Sequence, residues 1–247
     1  ARDRAIMVVR HLEARGIADP LVLAAMGEVP RETFVSEALK EFAYEDSALP
    51  IEAGQTISQP YIVARMIELL ELAPGDKVLE VGAGSGYAAT VMGRIASRVY
   101  AIERHKELAD LARTRLKALG YTNIEIICAD GTKGLPDQAP FNAILVSAGG
   151  PKVPESLKQQ LAIGGRLVIP VGRDIHQTLL LVRRIERSRA ALLAPGRTPI
   201  AAALALAAGV SLIVAHGDQE LAASAREAAE SQRARRTDCE ECDDDER

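Results

Sequence analysis

The chain has 247 residues, 48% of them hydrophobic and 26% charged, with a formal net charge of −4. This composition suits a soluble globular protein with a sizeable core, and the acidic balance argues against a general nucleic-acid binder, which carries a basic face. No stretch reads as a signal peptide or a membrane span, the best candidate (200–214) being too short, and the three cysteines do not make a disulfide framework.

Residues 1–73 read as a helical extension. Ile6, Val9 and Leu12 recur at helical spacing until Gly16 stops the run, and a second helix fits Pro20–Glu28. Ala53-Gly54 signals a turn. Pro60 is well placed to open a helix over 61–72, which the Leu72-Ala-Pro-Gly-Asp76 segment breaks.

From 74 to 187, short β-rich runs alternate with helical stretches. Strands are expected at Lys77–Val81, Arg98–Glu103, 124–129, 142–148, 166–171 and 178–185, with helices over 87–97, 106–119 and 153–161. Alternation of this kind makes a parallel sheet with helices on both faces and all strand carboxyl ends on one edge, where ligands bind. With no Trp, three Phe and five Tyr, the core must be built from Leu, Ile, Val and Ala, and Cys128 is expected within it.

The character changes from 188 to 247. An Ala-rich helix over 199–208 is expected to lead into a buried strand over 210–215, followed by a polar helical stretch over 220–236. The acidic end, from Asp238, is too densely charged to pack and is expected to be a disordered tail. Cys239 and Cys242 have the spacing of half a zinc site without a partner pair, so no metal site is expected.

The chemistry-bearing loop is Val78-Leu-Glu-Val-Gly-Ala-Gly-Ser-Gly86. Gly82, Gly84 and Gly86 allow a tight strand-to-helix turn against which a ligand can lie. Tyr87 stands where the dinucleotide fingerprint G-x-G-x-x-G needs its third glycine, so a pyrophosphate ligand is disfavoured. S-adenosylmethionine has no pyrophosphate, and its amino-acid end can use such a turn. Glu80 can balance the donor's positive charge, Glu103 at the second strand end can accept both ribose hydroxyls, and Asp130-Gly131 at the third can receive the adenine amino group.

Gly54-Gln-Thr-Ile-Ser-Gln-Pro-Tyr-Ile-Val-Ala-Arg-Met66 closely resembles the signature of protein-L-isoaspartate O-methyltransferases. Agreement extends through Arg15-Gly-Ile-Ala-Asp19, Val29-Pro-Arg-Glu-Thr-Phe-Val35, the loop from Val78 and Gly164-Gly-Arg-Leu-Val-Ile-Pro-Val-Gly172, over roughly 4–186. The resemblance implies methyl transfer from S-adenosylmethionine to the free α-carboxylate of L-isoaspartyl residues in damaged proteins, with S-adenosylhomocysteine as product. It also implies that Ser58 is the active-site serine bonding the substrate carboxylate, and that Thr56 and Gln59 shape the pocket beside it. On the residues alone, the preferred reading is that Thr56, Ser58 and Pro60 simply cap the helix at Tyr61; the resemblance turns the choice to the functional one. Past 186 the resemblance ends without the family's closing strand, and Asn142 stands where the family commonly has Asp.

The expected fold is a Rossmann-like, doubly wound, mostly parallel α/β sheet, the S-adenosylmethionine-dependent methyltransferase fold, with an N-terminal helical extension over the strand carboxyl ends. The expected partners are isoaspartyl peptides and proteins, with no nucleic acid and no membrane, in a cytoplasmic monomer. Two rivals remain at this point: a methyltransferase for another acceptor, and a donor-binding protein whose divergent C-terminal region impairs turnover.

Overall fold

A computed structural model describes residues 1–173, 176–185 and 210–214. The helix expected over 199–208, the helical stretch over 220–236 and the acidic tail with Cys239 and Cys242 lie outside the described residues.

The chain opens with helix α1 (Arg2–Met7), continues through a π-helical turn at Val8–Leu12 and a 3-10 turn at Glu13–Arg15, and stops at Gly16, whose φ is +91°. The π turn changes which residues face inward. Bonding five residues apart brings Met7 and Leu12 to one side, where both are fully buried, while Ile6 and Val9 are 37% and 57% exposed. The expected Ile6–Val9–Leu12 stripe is therefore only one-third right. Helix α2 (Pro20–Glu28) starts where Asp19 accepts from the Leu21 and Val22 N–H groups, with Pro20 at its first position.

Strands β1 (Leu49–Pro50) and β2 (Thr56–Ile57) form a small antiparallel hairpin, and helix α3 (Pro60–Leu69) follows directly. The main sheet is built from β3 (Lys77–Val81), β4 (Arg98–Glu103), β5 (Ile124–Cys128), β6 (Phe141–Val146), β7 (Leu161–Arg173), β8 (His176–Arg184) and β9 (Val210–Val214). Helices α4 (Tyr87–Gly93), α5 (Lys106–Ala118) and α6 (Glu155–Gln159) connect them. The order across the sheet is β5-β4-β3-β6-β7-β8-β9. The first five strands are parallel, β8 runs antiparallel to β7, and β9 antiparallel to β8.

This order places a switch point at β3. The chain moves outward from β3 through β4 to β5, then returns to lay β6 on the other side of β3. Right-handed crossovers in opposite directions put helices on opposite faces and leave a crevice at the carboxyl end of β3. Alternation along the strands makes two apolar layers. Val78, Ala101, Ala143 and Leu145 join a layer that also takes Met7, Met26, Met66 and Ile67 from the N-terminal helices, whereas Leu79, Ile102, Ile144 and Leu157 of α6 pack on the other face. The extension is thus continuous with the core of the sheet. No described helix is long and apolar enough to cross a membrane.

One expectation needs correction, and one departure from the family finds its partner. Cys128 is exposed, because it ends the edge strand β5. Asn142 is a harmless departure: its side-chain carbonyl accepts the Lys77 N–H at 2.9 Å, a task that needs only an acceptor.

Candidate active site

Each parallel strand delivers its last residues to the same edge, so the carboxyl ends of β3, β4, β5 and β6 collect the polar groups. At the end of β3 the backbone turns through Gly82 (φ +89°) and Gly84 (φ +53°), a region that L side chains rarely adopt. A Cβ on Gly82 would also stand 3.2 Å from that of Ala148. The turn is fixed from beneath. The Gly82 and Ala83 N–H groups share the Ile102 carbonyl at 2.8 and 3.0 Å, and the Gly84 N–H donates to Glu103 Oε2 at 2.8 Å. Gly86, also at positive φ, is the residue from which α4 starts.

Glu80 sits on the alternation that otherwise supplies core residues, and it is 1% exposed. Its Oε1 accepts from Ser147 Oγ at 2.8 Å, while Oε2 has no partner among the described residues. Burial pushes its pKa up to about 8; the Ser147 hydrogen bond opposes this and the nearby Glu103 charge adds to it. An orphaned, buried carboxyl oxygen beside a glycine turn is what a cationic ligand would satisfy, so these residues fit the sulfonium donor.

Thr56, Ser58, Glu80, Gly82, Gly84 and Ser147 line one cavity, with Ile57, Val63, Met66 and Leu145 as apolar wall. The hairpin and the β3 turn are therefore brought together, although Ser58 and Glu80 lie 22 positions apart. Among the described residues the Ser58 side chain has no hydrogen-bond partner, and α3 begins after Gln59 without a side-chain cap from that residue. Of the capping alternative, Pro60 does open α3, whereas no side-chain cap from Thr56 or Ser58 is made among the described residues.

The other expected site residues are placed differently. Gln59 does not line the cavity; its Nε2 donates to Asp46 Oδ2 at 2.8 Å, and the residue is buried. Glu103 accepts the Gly84 N–H on one oxygen and the His105 N–H on the other, each at 2.8 Å, which leaves each oxygen a further lone pair. Asp130 is exposed and caps the 3-10 turn Gly131–Lys133, its Oδ1 accepting from the Thr132 N–H at 3.0 Å and Oγ1 at 2.7 Å. Those hydrogen bonds hold its carboxyl below the usual range. Gly131 lies so close to Val81 that a Cβ there would collide with it.

Two residues escaped the sequence. Ser147 follows β6 as Gly82 follows β3, and only the strand order reveals that these ends are neighbours. Asp46 sits on a bend ahead of β1, and its partners are remote in the chain.

Comparison with known proteins places this geometry. A profile of the family described as protein-L-isoaspartate(D-aspartate) O-methyltransferase matches residues 3–193, a little beyond the limit of about 186 read from the sequence. Protein-L-isoaspartate O-methyltransferase 2 of Pelobacter propionicus is 58% identical over 182 residues, covering 73% of this chain and 81% of its own. Protein-L-isoaspartate O-methyltransferase 1 of Geotalea uraniireducens is 56% identical over 200 residues, covering 80% and 91%. A solved structure of such an enzyme from Plasmodium falciparum, in complex with S-adenosyl-L-homocysteine, has a TM-score of 0.61 and 29% identity, covering 71% of this chain and 88% of that one.

Proposed function

The chain belongs to the protein-L-isoaspartate O-methyltransferase family, and from that premise we propose how its own residues carry the reaction. The activity is methyl transfer from S-adenosylmethionine to L-isoaspartyl residues of proteins, a repair function. The rival acceptors and the reading without turnover are not favoured. When bound, the donor supplies an electrophilic methyl group on a sulfonium.

The acceptor is an α-carboxylate with a pKa of roughly 3.3–3.7, already ionised at neutral pH, so no general base is required. What the protein supplies is position and exclusion of water. Ser58 donates its hydroxyl to one carboxylate oxygen and so aims the other, Thr56 lines the same side, and Ile57, Val63 and Met66 keep the site dry. Glu80, ionised, faces the donor's positive charge. The free lone pairs of Glu103 take the ribose hydroxyls, and Asp130 with Gly131 lies at the adenine end. The observation that carries this reading is the single cavity shared by Ser58 and Glu80 across the glycine turn. We place the protein in the cytoplasm, where the exposed Cys128 thiol, free among the described residues, would stay reduced.

The test is Ser58→Ala, assayed on an isoaspartyl peptide and its normal aspartyl twin. A hydrogen bond to a charged group is worth about 1.5–3 kcal/mol, so turnover on the isoaspartyl peptide should fall roughly 10- to 150-fold. Affinity for S-adenosylhomocysteine should stay at the wild-type value. Undiminished turnover removes Ser58 from the reaction.

A further inference from the structure

Ser58 lies between two anchors, and both come from the same short segment. On its N-terminal side, β2 is held by β1, with Leu49 opposite Ile57 and Pro50 opposite Thr56. On its C-terminal side, the first turn of α3 has unsatisfied N–H groups and no cap from Gln59 itself. Asp46 meets this need from 15 positions upstream: its Oδ1 accepts the Tyr61 N–H at 3.1 Å, and its Oδ2 accepts from Gln59 Nε2 at 2.8 Å. Its charge also sits against the positive end of α3.

Asp46 is in turn held. The Arg15 guanidinium pairs with Oδ2 and lies 3.7 Å from the centre of the Tyr61 ring. The Asp46 and Arg15 side chains are 14% and 23% exposed, so this pairing is shielded from much of the solvent. One carboxylate thus ties the N-terminal helical run, the residue after Ser58 and the helix that follows it.

We propose that Asp46 is a positioning residue for methyl transfer: it fixes Gln59 and Tyr61, and thereby sets the Ser58 hydroxyl against the substrate carboxylate. The inference rests on the role given to Ser58 above. It assigns Gln59 a mechanical part in place of substrate contact, and it makes the segment from Asp46 to Pro50 the mould for the acceptor side. Small errors in placing a reacting group are costly, on the order of 100-fold for about 1 Å.

The test is a double-mutant cycle between Asp46→Ala and Ser58→Ala on the full chain. It reads kcat and KM for isoaspartyl peptide alongside calorimetric affinity for S-adenosylhomocysteine. Asp46→Ala should lower kcat roughly 10- to 100-fold with donor affinity within about twofold of wild type. In the Ser58→Ala background it should produce little further loss. Asp46→Asn, which retains a carbonyl for the Tyr61 N–H, should recover part of kcat and also serves if the alanine variant folds poorly. Equal losses in both backgrounds, or a donor affinity that falls in step with kcat, overturn the inference and leave Ser58 standing. A Ser58→Ala enzyme with normal turnover instead removes the premise itself.

Discussion

The donor side and the acceptor side of the cavity are built by opposite means. The donor turn is local: β3, three glycines at positive φ and the start of α4 follow one another within eleven residues; the Gly82, Ala83 and Gly84 N–H groups are satisfied by the adjacent strand β4 through Ile102 and Glu103, and the Gly86 N–H by the Ala83 carbonyl of the turn itself. The acceptor side is an assembly of short pieces, namely a two-residue strand pair, a single serine and a helix whose first turn is satisfied from Asp46. Backbone conformation holds the first. Side chains from distant segments hold the second.

If this contrast is right, a change in backbone freedom should damage the donor side most. Gly82→Val puts a β-branched residue at φ +89° and a Cβ 3.2 Å from that of Ala148. Strain of about 1–3 kcal/mol and overpacking of similar size should weaken S-adenosylhomocysteine binding on the order of 1,000-fold. Calorimetry measures this directly, and near-normal binding would break the comparison.

Glu103→Ala should have the next largest effect. It removes the acceptors for the Gly84 and His105 N–H groups as well as the proposed ribose contacts, and should cost roughly 10- to 150-fold in affinity for the same ligand. An unchanged affinity would mean that the turn holds its own shape and that ribose is bound elsewhere.

The smallest effect is a pH dependence confined to the donor side. Glu80 has a folded-state pKa raised from 4.5 to about 8, so between those values the native state keeps a proton that the unfolded chain has lost. Its contribution to stability therefore falls as pH rises through that window, by at most about 1.4 kcal/mol per unit. A cationic ligand favours the ionised form, so affinity for the sulfonium S-adenosylmethionine should climb between about pH 6 and 7.5, by up to about tenfold per unit, with release of a proton. Glu80→Gln should flatten that slope. A slope that persists in the glutamine variant assigns the proton to another group.

The same contrast explains what could be read from the chain. The bounds of α2, β3 and β4 are legible to the residue, since Asp19-Pro20 caps the first and alternating β-branched runs bounded by turns mark the others. Helix α4 ends at Gly93 rather than at 97, and a Cβ on that glycine would collide with Ile124 of β5, a close approach that the chain order does not announce. Strand β7 begins at Leu161, in a stretch that reads as the end of a helix, because a register shift near Phe141 lets residues on both sides of Gly164-Gly165 pair with β6. Glu80 and the glycines are legible because their roles follow from one motif. Ser147 and Asp46 are not, since each acts on a partner at least 13 positions away and only the fold supplies the neighbour.

The outermost strand has a consequence for how the chain reaches this state. Strand β8 can zip onto β7 at once, because its pairing starts with Arg173 opposite His176, three positions on in the chain. Strand β9 pairs with β8 only after a detour of 25 residues, with Val210 brought back beside Arg184. Closing that loop is entropically slower than closing a hairpin. During biosynthesis β8 therefore waits with its outer backbone groups unpaired along an apolar run from Leu179 to Val182, a template for the strands of other molecules. An unpaired β8 edge is one onto which strands of other molecules can add, so solubility on expression should depend on how quickly residues 210–214 arrive.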